Sequence, residues 1–270
     1  MKKHRIIDIH THQPLYQEDG STYSVSDSAR LLLEQLDLGG VQMAGLLGYS
    51  VSPGKSVEEM RFVNQQTSEV IACDPERLLG FVFVNPSLPA SIVAGELDQY
   101  LSQGGFRGIK LELDVNCRDP RVNVVMEKAR QYNVPVLHHS WYVNTWCMNE
   151  GELQVQLNRS EPHDVADLAR RFPDVPIIMA HMEGSGIRGI LDVAECGNVW
   201  IDTSGSQPFT GTLEFALETV GSRRILFGSD LCGRSIEGQL GRILGTRMPE
   251  ADRENILWRN AETLLGLRAQ

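Results

Sequence analysis

Several features that would move a chain out of the ordinary soluble-enzyme classes are missing here. No stretch approaches the ~20 uninterrupted apolar residues of a membrane-spanning helix. The N-terminal MKKHRIIDIHTH carries basic residues without the apolar run and small-residue cleavage site of a signal peptide. A cytoplasmic protein with no membrane partner is therefore expected. Positive charge is in deficit: 25 Lys and Arg against 35 Asp and Glu leave a formal charge of −10. Nucleic acid and anionic membranes would be repelled. The five cysteines, Cys73, Cys117, Cys147, Cys196 and Cys232, are odd in number and form no C-x-x-C pair. They fit reduced thiols better than a disulfide framework or a structural zinc site. No repeat, low-complexity tract or charged linker divides the chain, so 1–270 reads as one domain.

What the chain does have is eight short apolar runs, each bounded by polar or turn residues. They fall at 5–13, 41–48, 78–85, 106–113, 134–140, 175–182, 199–205 and 225–231. Most are too short for helices and apolar on both faces, as parallel strands covered on both sides are. Helix-like stretches such as SVEEMRFVNQQTSEVIA, RDPRVNVVMEKARQY and HDVADLARRF lie between them, with candidate caps at Ser56 and at Asp119 before Pro120. Strands alternating with helices imply right-handed βαβ units. Eight units predict an α/β fold, a (β/α)8 TIM barrel. A doubly wound open sheet is the alternative, but the first run lacks the Gly-rich loop that usually follows there. Two connections are long, 13–27 and 141–160. The second carries Trp141, Tyr142 and Trp146, and reads as a lid or pocket wall.

The first run ends in RIIDIHTHQ. Side chains of a strand alternate, so His10 and His12 share a face, with Asp8 beside them and Ile7, Ile9 and Thr11 opposite. Two imidazoles about 7 Å apart along a strand can tilt toward one ion, or both can be solvated at a strand end. The other histidines argue for the ion. Five of the seven, His10, His12, His138, His139 and His181, fall at C-terminal ends of predicted strands, where barrels keep their catalytic groups. Asp230 closes the eighth run and Lys110 lies inside the fourth. Three or four neutral imidazoles and a carboxylate suit Zn²⁺, Mn²⁺ or Fe²⁺. His138 and His139 cannot both contribute, because neighbours in a strand face opposite ways.

IDIHTH, VPVLHHS, IIMAHMEG, ILFGSD and RNAETLLGL, in that order, resemble the amidohydrolase superfamily, and more narrowly its amidohydrolase-related (amidohydrolase 2) branch of metal-dependent TIM-barrel hydrolases. The likeness runs from Ile6 to Leu267. It implies a distorted barrel with one or two divalent ions, zinc first and manganese or iron as alternatives. The implied ligands are His10, His12, His139, His181 and Asp230, with His139 chosen over His138 because the family's ligand precedes a small hydroxyl residue. Lys110 stands where binuclear relatives carry a carbamylated, metal-bridging lysine; in mononuclear members it stays unmodified and meets substrate or an acidic neighbour such as Glu112.

These readings lead first to a metal-dependent hydrolase of a small-molecule amide, ester or lactone, with Asp230 and His181 catalytic. Candidate substrate contacts are Glu112, Trp141, Glu183, Ser204, Gln207 and Arg234. The alternative is a non-oxidative decarboxylase of an aromatic or muconate-like acid, and a further one, from another class, is a non-catalytic binding barrel. Oligomeric state is open, although superfamily members are often dimers or larger.

Overall fold

Each apolar run contains a strand shorter than itself. The computed structural model describes residues 4–48, 56–112, 114–142, 159–205 and 209–267. Its strands are β1 Ile7–Thr11, β2 Met43–Leu47, β3 Leu78–Val84, β4 Phe106–Leu111, β5 Val136–His138, β6 Ile177–Met179, β7 Val199–Asp202 and β8 Ile225–Leu226. All pair in parallel, in sequence order. The ends of the sheet meet where Ile9 N–H donates to Phe227 O (3.0 Å) and Asp230 N–H donates to His10 O (2.8 Å). The result is a (β/α)8 barrel.

Helices follow the strands as α1 Val25–Gly39, α2 Val57–Cys73, α3 Ala90–Leu101, α4 Asn123–Tyr132, α5 Pro162–Arg171, α6 Met182–Val193, α7 Thr212–Thr219 and α8 Ile236–Gly245. Their starts obey the local chemistry of the sequence. Ser56 caps α2 by accepting from Glu59 N, and Asp119 accepts from Arg121 N at the 3-10 turn that leads into α4. Glu161 and Asp164 form a reciprocal capping box around Pro162.

Alternation within the strands sorts the core into two shells. Val136, Ile177, Met179 and Ile201 join the outer cluster against the helices. Leu79, Phe81, Leu137, Ile178 and Leu226 fill the barrel, and Ala261 and Leu265 close its floor. The Asn260 side chain fixes that floor by donating to Ser222 O (2.8 Å) and Ile225 O (2.7 Å).

β1 breaks the alternation. Asp8 pairs with Ala44 and Thr11 with Leu46, so Ile9 and His10 together oppose the single residue Gly45. This two-against-one bulge shifts the phase of the strand by one residue. Ile7 and Ile9 therefore lie in the inner cluster, and His10 and His12 turn inward above them. The expectation that Asp8 shares their face is corrected. Asp8 takes the phase of Ala44, an outer-shell residue, and one of its oxygens accepts from His10 N (3.1 Å) and Ser229 N (3.0 Å). Burial raises its carboxyl to about 7, although Ser229 and His10 pull the other way.

Bulky Phe81 needs an inward position without a side chain opposite it. A Cβ on Gly108 would stand 2.3 Å from the Phe81 ring. Gly108→Ala should therefore destabilise by about 1–3 kcal/mol through overpacking. Phe81→Leu in the same chain should recover part of that loss. Thermal unfolding of the single and double variants checks this, and an unchanged Tm for Gly108→Ala would contradict the packing described.

Candidate active site

At the C-terminal end of the barrel the polar residues of six strands converge, and their partners fix which nitrogens carry protons. Asp202, fully buried at the end of β7, holds the arrangement. Its Oδ2 lies 2.7 Å from His10 Nδ1, and a carboxylate can only accept, so that nitrogen donates. Its Oδ1 accepts from His181 N (2.9 Å), Ser204 N (3.0 Å) and Ser204 Oγ (2.5 Å). Burial pushes the Asp202 carboxyl up, but His10, His181 and Ser204 outweigh it and hold the group at about 2.

The remaining protons follow in sequence. Ser204 spends its hydrogen on Asp202, so it accepts from His181 Nδ1 at 3.0 Å. His181 Nε2 is left as an acceptor, 3.1 Å from His139 Nδ1. His139 Nδ1 also lies 3.4 Å from Glu112 Oε2 and donates to either acceptor. His12 Nδ1 donates to Leu47 O at 2.8 Å. Each of His10, His12 and His139 thus turns a basic Nε2 away from its backing partner. His10 Nε2 and His139 Nε2 are buried without a hydrogen bond. Burial, reinforced by neighbouring positive groups, holds His139 well below the usual imidazole range, and burial with His10 lowers His181 to about 4. Both rings are neutral near pH 7.

Asp230 Oδ1 faces these nitrogens, 3.6 Å from His10 Nε2 and 3.4 Å from His12 Nε2. Burial disfavours its charge, yet His12, His10 and His181 keep the carboxyl well below its ordinary range. Ligand atoms of His10, His12 and Asp230 all lie within 4.8 Å of one another. Acceptors converging on one another in a buried space suit a cation between them. Backbone strain accompanies the convergence: His181 and Asp230 are non-glycine residues at φ 65° and 64°. At His181 that turn aims the backbone N–H at Asp202. Gly228 gives His10 its room, because a Cβ there would be 2.8 Å from the His10 Cβ.

A cleft of about 750 Å³ opens above Asp230, His139 and His181. Tyr16 and Tyr23, both in the long connection after β1, line it with Trp141, Glu112, Arg234 and Cys232. Another cleft, of about 710 Å³ around Trp200 and Trp258, contains none of the candidate site residues.

His138 turns the other way from His139. Its Nδ1 donates to His139 O (2.7 Å), Ser160 Oγ lies 3.2 Å from its Nε2, and burial lowers it to about 4. Lys110 is fully buried, with Nζ 3.0 Å from Glu112 Oε1. Two candidate substrate contacts need correction. Glu183 is buried against Arg242, accepts from Phe209 N at 3.1 Å and does not line the cleft. Ser204 is buried behind His10 and His181, where it passes on the orientation set by Asp202. Trp146 and Gln207, and the connection after β5 from 143 to 158, lie outside the described residues.

Asp202 was not singled out from the sequence. The signal was present: in VWIDTSG it stands two residues beyond inward-facing Trp200, at the C-terminal end of its strand. Asp202→Asn removes the charge that orients His10 and, through Ser204, His181. Divalent-metal affinity should fall about 10- to 100-fold. Competition against a chelating dye measures this, with circular dichroism as the folding control; unchanged affinity would contradict the role.

A family model described as amidohydrolase matches residues 7–267. The gamma-resorcylate decarboxylase of Polaromonas sp. strain JS666 is 25% identical over 256 residues, spanning 78% of this chain and 77% of that protein. A 2,6-dihydroxybenzoate decarboxylase structure from Rhizobium superposes with a TM-score of 0.75 at 20% identity, covering 98% of this chain and 100% of that one. A dihydroxybenzoic acid decarboxylase from Polaromonas sp. JS666, with bound manganese and the inhibitor 2-nitroresorcinol, gives 0.74 at 19% identity over 99% and 98%. Among the described residues no helix is long and apolar enough to cross a membrane.

Proposed function

The chain belongs to the amidohydrolase family, and from that premise we propose that it is a divalent-metal-dependent, non-oxidative decarboxylase of an aromatic carboxylic acid. The observation that carries the reading is the convergence of His10, His12 and Asp230, with the His139 Nε2 buried without a hydrogen bond, beneath a cleft walled by Trp141, Tyr16 and Tyr23. The decarboxylase relatives support it over hydrolysis of an amide, ester or lactone.

His10, His12 and His139, each through Nε2, and Asp230 through a carboxylate oxygen would hold the ion. When bound, a divalent ion supplies the positive charge that neutralises and orients an anionic substrate. Three imidazoles and a carboxylate accept zinc, manganese or iron. A manganese-bound relative favours manganese over the zinc expected first. His181 has both ring nitrogens engaged, by Ser204 and His139, which suits a positioning group better than the ligand first expected.

Removing a carboxylate from an aromatic ring requires a proton at the ring carbon that bears it. The carbon–carbon bond then breaks, CO₂ leaves and the bonding pair restores the ring. Asp230 waits as a carboxylate, takes up a proton entering through the cleft and delivers it to that carbon. His181 Nδ1, 3.9 Å from Asp230 Oδ2, steadies the aspartate as its charge changes. Trp141, Tyr16 and Tyr23 offer the ring apolar walls, and Arg234 offers the entering acid a cation.

Metal-loaded protein incubated with hydroxybenzoates, and separately with lactones and esters, tests the reading. CO₂ and the decarboxylated arene are the expected products; turnover of lactones or esters alone would overturn it. Asp230→Asn should lower CO₂ release by at least ~10²-fold while metal stays bound through the three histidines. Near-normal turnover with full metal would remove Asp230 from the proton path.

A further inference from the structure

Resting on the aromatic-acid reading above, we propose that Gln13 is a specificity residue whose side-chain amide hydrogen-bonds a hydroxyl group on the substrate ring.

Gln13 lines the cleft and is only 5% exposed, and its Oε1 is buried with no hydrogen-bond partner among the described residues. Buried side-chain amides are nearly always paired, because losing water without a replacement partner is unfavourable. A polar group kept dry, unanswered and against a cleft of about 750 Å³ points to a ligand that answers it.

The backbone on both sides holds this amide in place. His12 donates its N–H to Leu231 O and its ring Nδ1–H to Leu47 O. Pro14 disfavours the helical region for the residue before it, and Pro14 O accepts from Ser28 Oγ at 2.6 Å. Farther on, Tyr23 N–H donates to Leu15 O (3.0 Å), Tyr16 pairs with Thr22, and Gln17 N–H donates to Ser21 O (2.8 Å). Residues 15–23 thus form a short antiparallel hairpin whose Tyr16 and Tyr23 line the cleft, with Gln13 at its root.

The chemistry of the amide selects its partner. Its oxygen only accepts and its nitrogen only donates. A carboxylate can answer the nitrogen alone, and a C–H edge answers neither. A phenolic hydroxyl answers both: it donates to Oε1 or, after a half-turn of the amide, accepts from Nε2. The substrate's own carboxylate has the ion and Arg234 to meet, which leaves the ring hydroxyl for Gln13. A ring without that hydroxyl leaves the amide as unpaired as before, and such a site discriminates against it.

The test is calorimetric binding of benzoate and its three monohydroxy isomers to manganese-loaded protein, which reads affinity apart from turnover. Wild type should bind at least one isomer about 5- to 50-fold tighter than benzoate. Gln13→Met keeps the length of the side chain and removes its polar atoms. That advantage should fall by about 5- to 50-fold in the variant, while the Kd of benzoate stays within about threefold. Comparing the two proteins cancels any contact of the hydroxyl with the ion. Because the amide is unanswered in the free protein, Gln13→Met should keep wild-type metal affinity and a Tm no lower than wild type. Lost metal or a lowered Tm would make Gln13 structural and overturn the proposal. So would an advantage that is unchanged in the variant or absent from wild type, even where CO₂ is released. An advantage that depends on Gln13, with no CO₂ released from any isomer, would uphold the proposal and overturn the decarboxylase reading instead. Failure of every benzoate to bind would overturn both.

Discussion

The arrangement of the site depends on one buried carboxylate. Asp202 meets His10 from β1, the backbone of His181 beyond β6 and Ser204 beyond its own strand. It gathers four hydrogen-bond donors in a place where an uncompensated charge would be prohibitive. Because it can only accept, it sets the protons of its partners, and through Ser204 and His181 the order reaches His139. His10 and His139 are thereby aimed with their basic nitrogens outward, and the Leu47 carbonyl does the same for His12, before any ligand arrives. This is preorganisation by hydrogen-bond polarity.

The barrel supplies the convergence that this network refines. Inner positions of β1, β5 and β7 deliver His10, His139 and Asp202 to one end, and left-handed turns place His181 and Asp230 beside them. Lys110 and Glu112 form a second charged pair on the far side of His139. The two carboxylates divide the work: Asp202 is sealed below the site, while Glu112 looks into the cleft. The barrel interior beneath the site, with Ile7, Ile9, Phe81, Leu137, Ile178 and Leu226, is apolar, which strengthens each polar contact above it.

Much of this was legible in the sequence because strand ends leave a simple mark: an apolar run that finishes on a polar residue. His10, His12, His181, Asp230 and all eight strands carry that mark, whereas the choice of His139 over His138 came from the family resemblance. The bulge at Ile9–His10 carries none, since IDIHT alternates perfectly and the phase break arises only from pairing with Gly45. It is why Asp8 was placed on the wrong face. Glu183 and Ser204 follow strand ends as closely as the true cleft residues do. Only the fold shows that Arg242 and Asp202 bury them. The choice between hydrolysis and decarboxylation is not legible in the sequence, because one set of metal-ready side chains can serve both chemistries.

The central claim is that four groups, prepared by hydrogen bonds to their backing partners, hold one divalent ion beneath the aromatic cleft. Anomalous diffraction from crystals of manganese-loaded protein tests it most directly. The account predicts a single strong peak held by His10 Nε2, His12 Nε2, His139 Nε2 and an Asp230 carboxylate oxygen, with Lys110 unmodified and still paired to Glu112. A second peak bridged through Lys110, or a lone peak held by other residues, would contradict it.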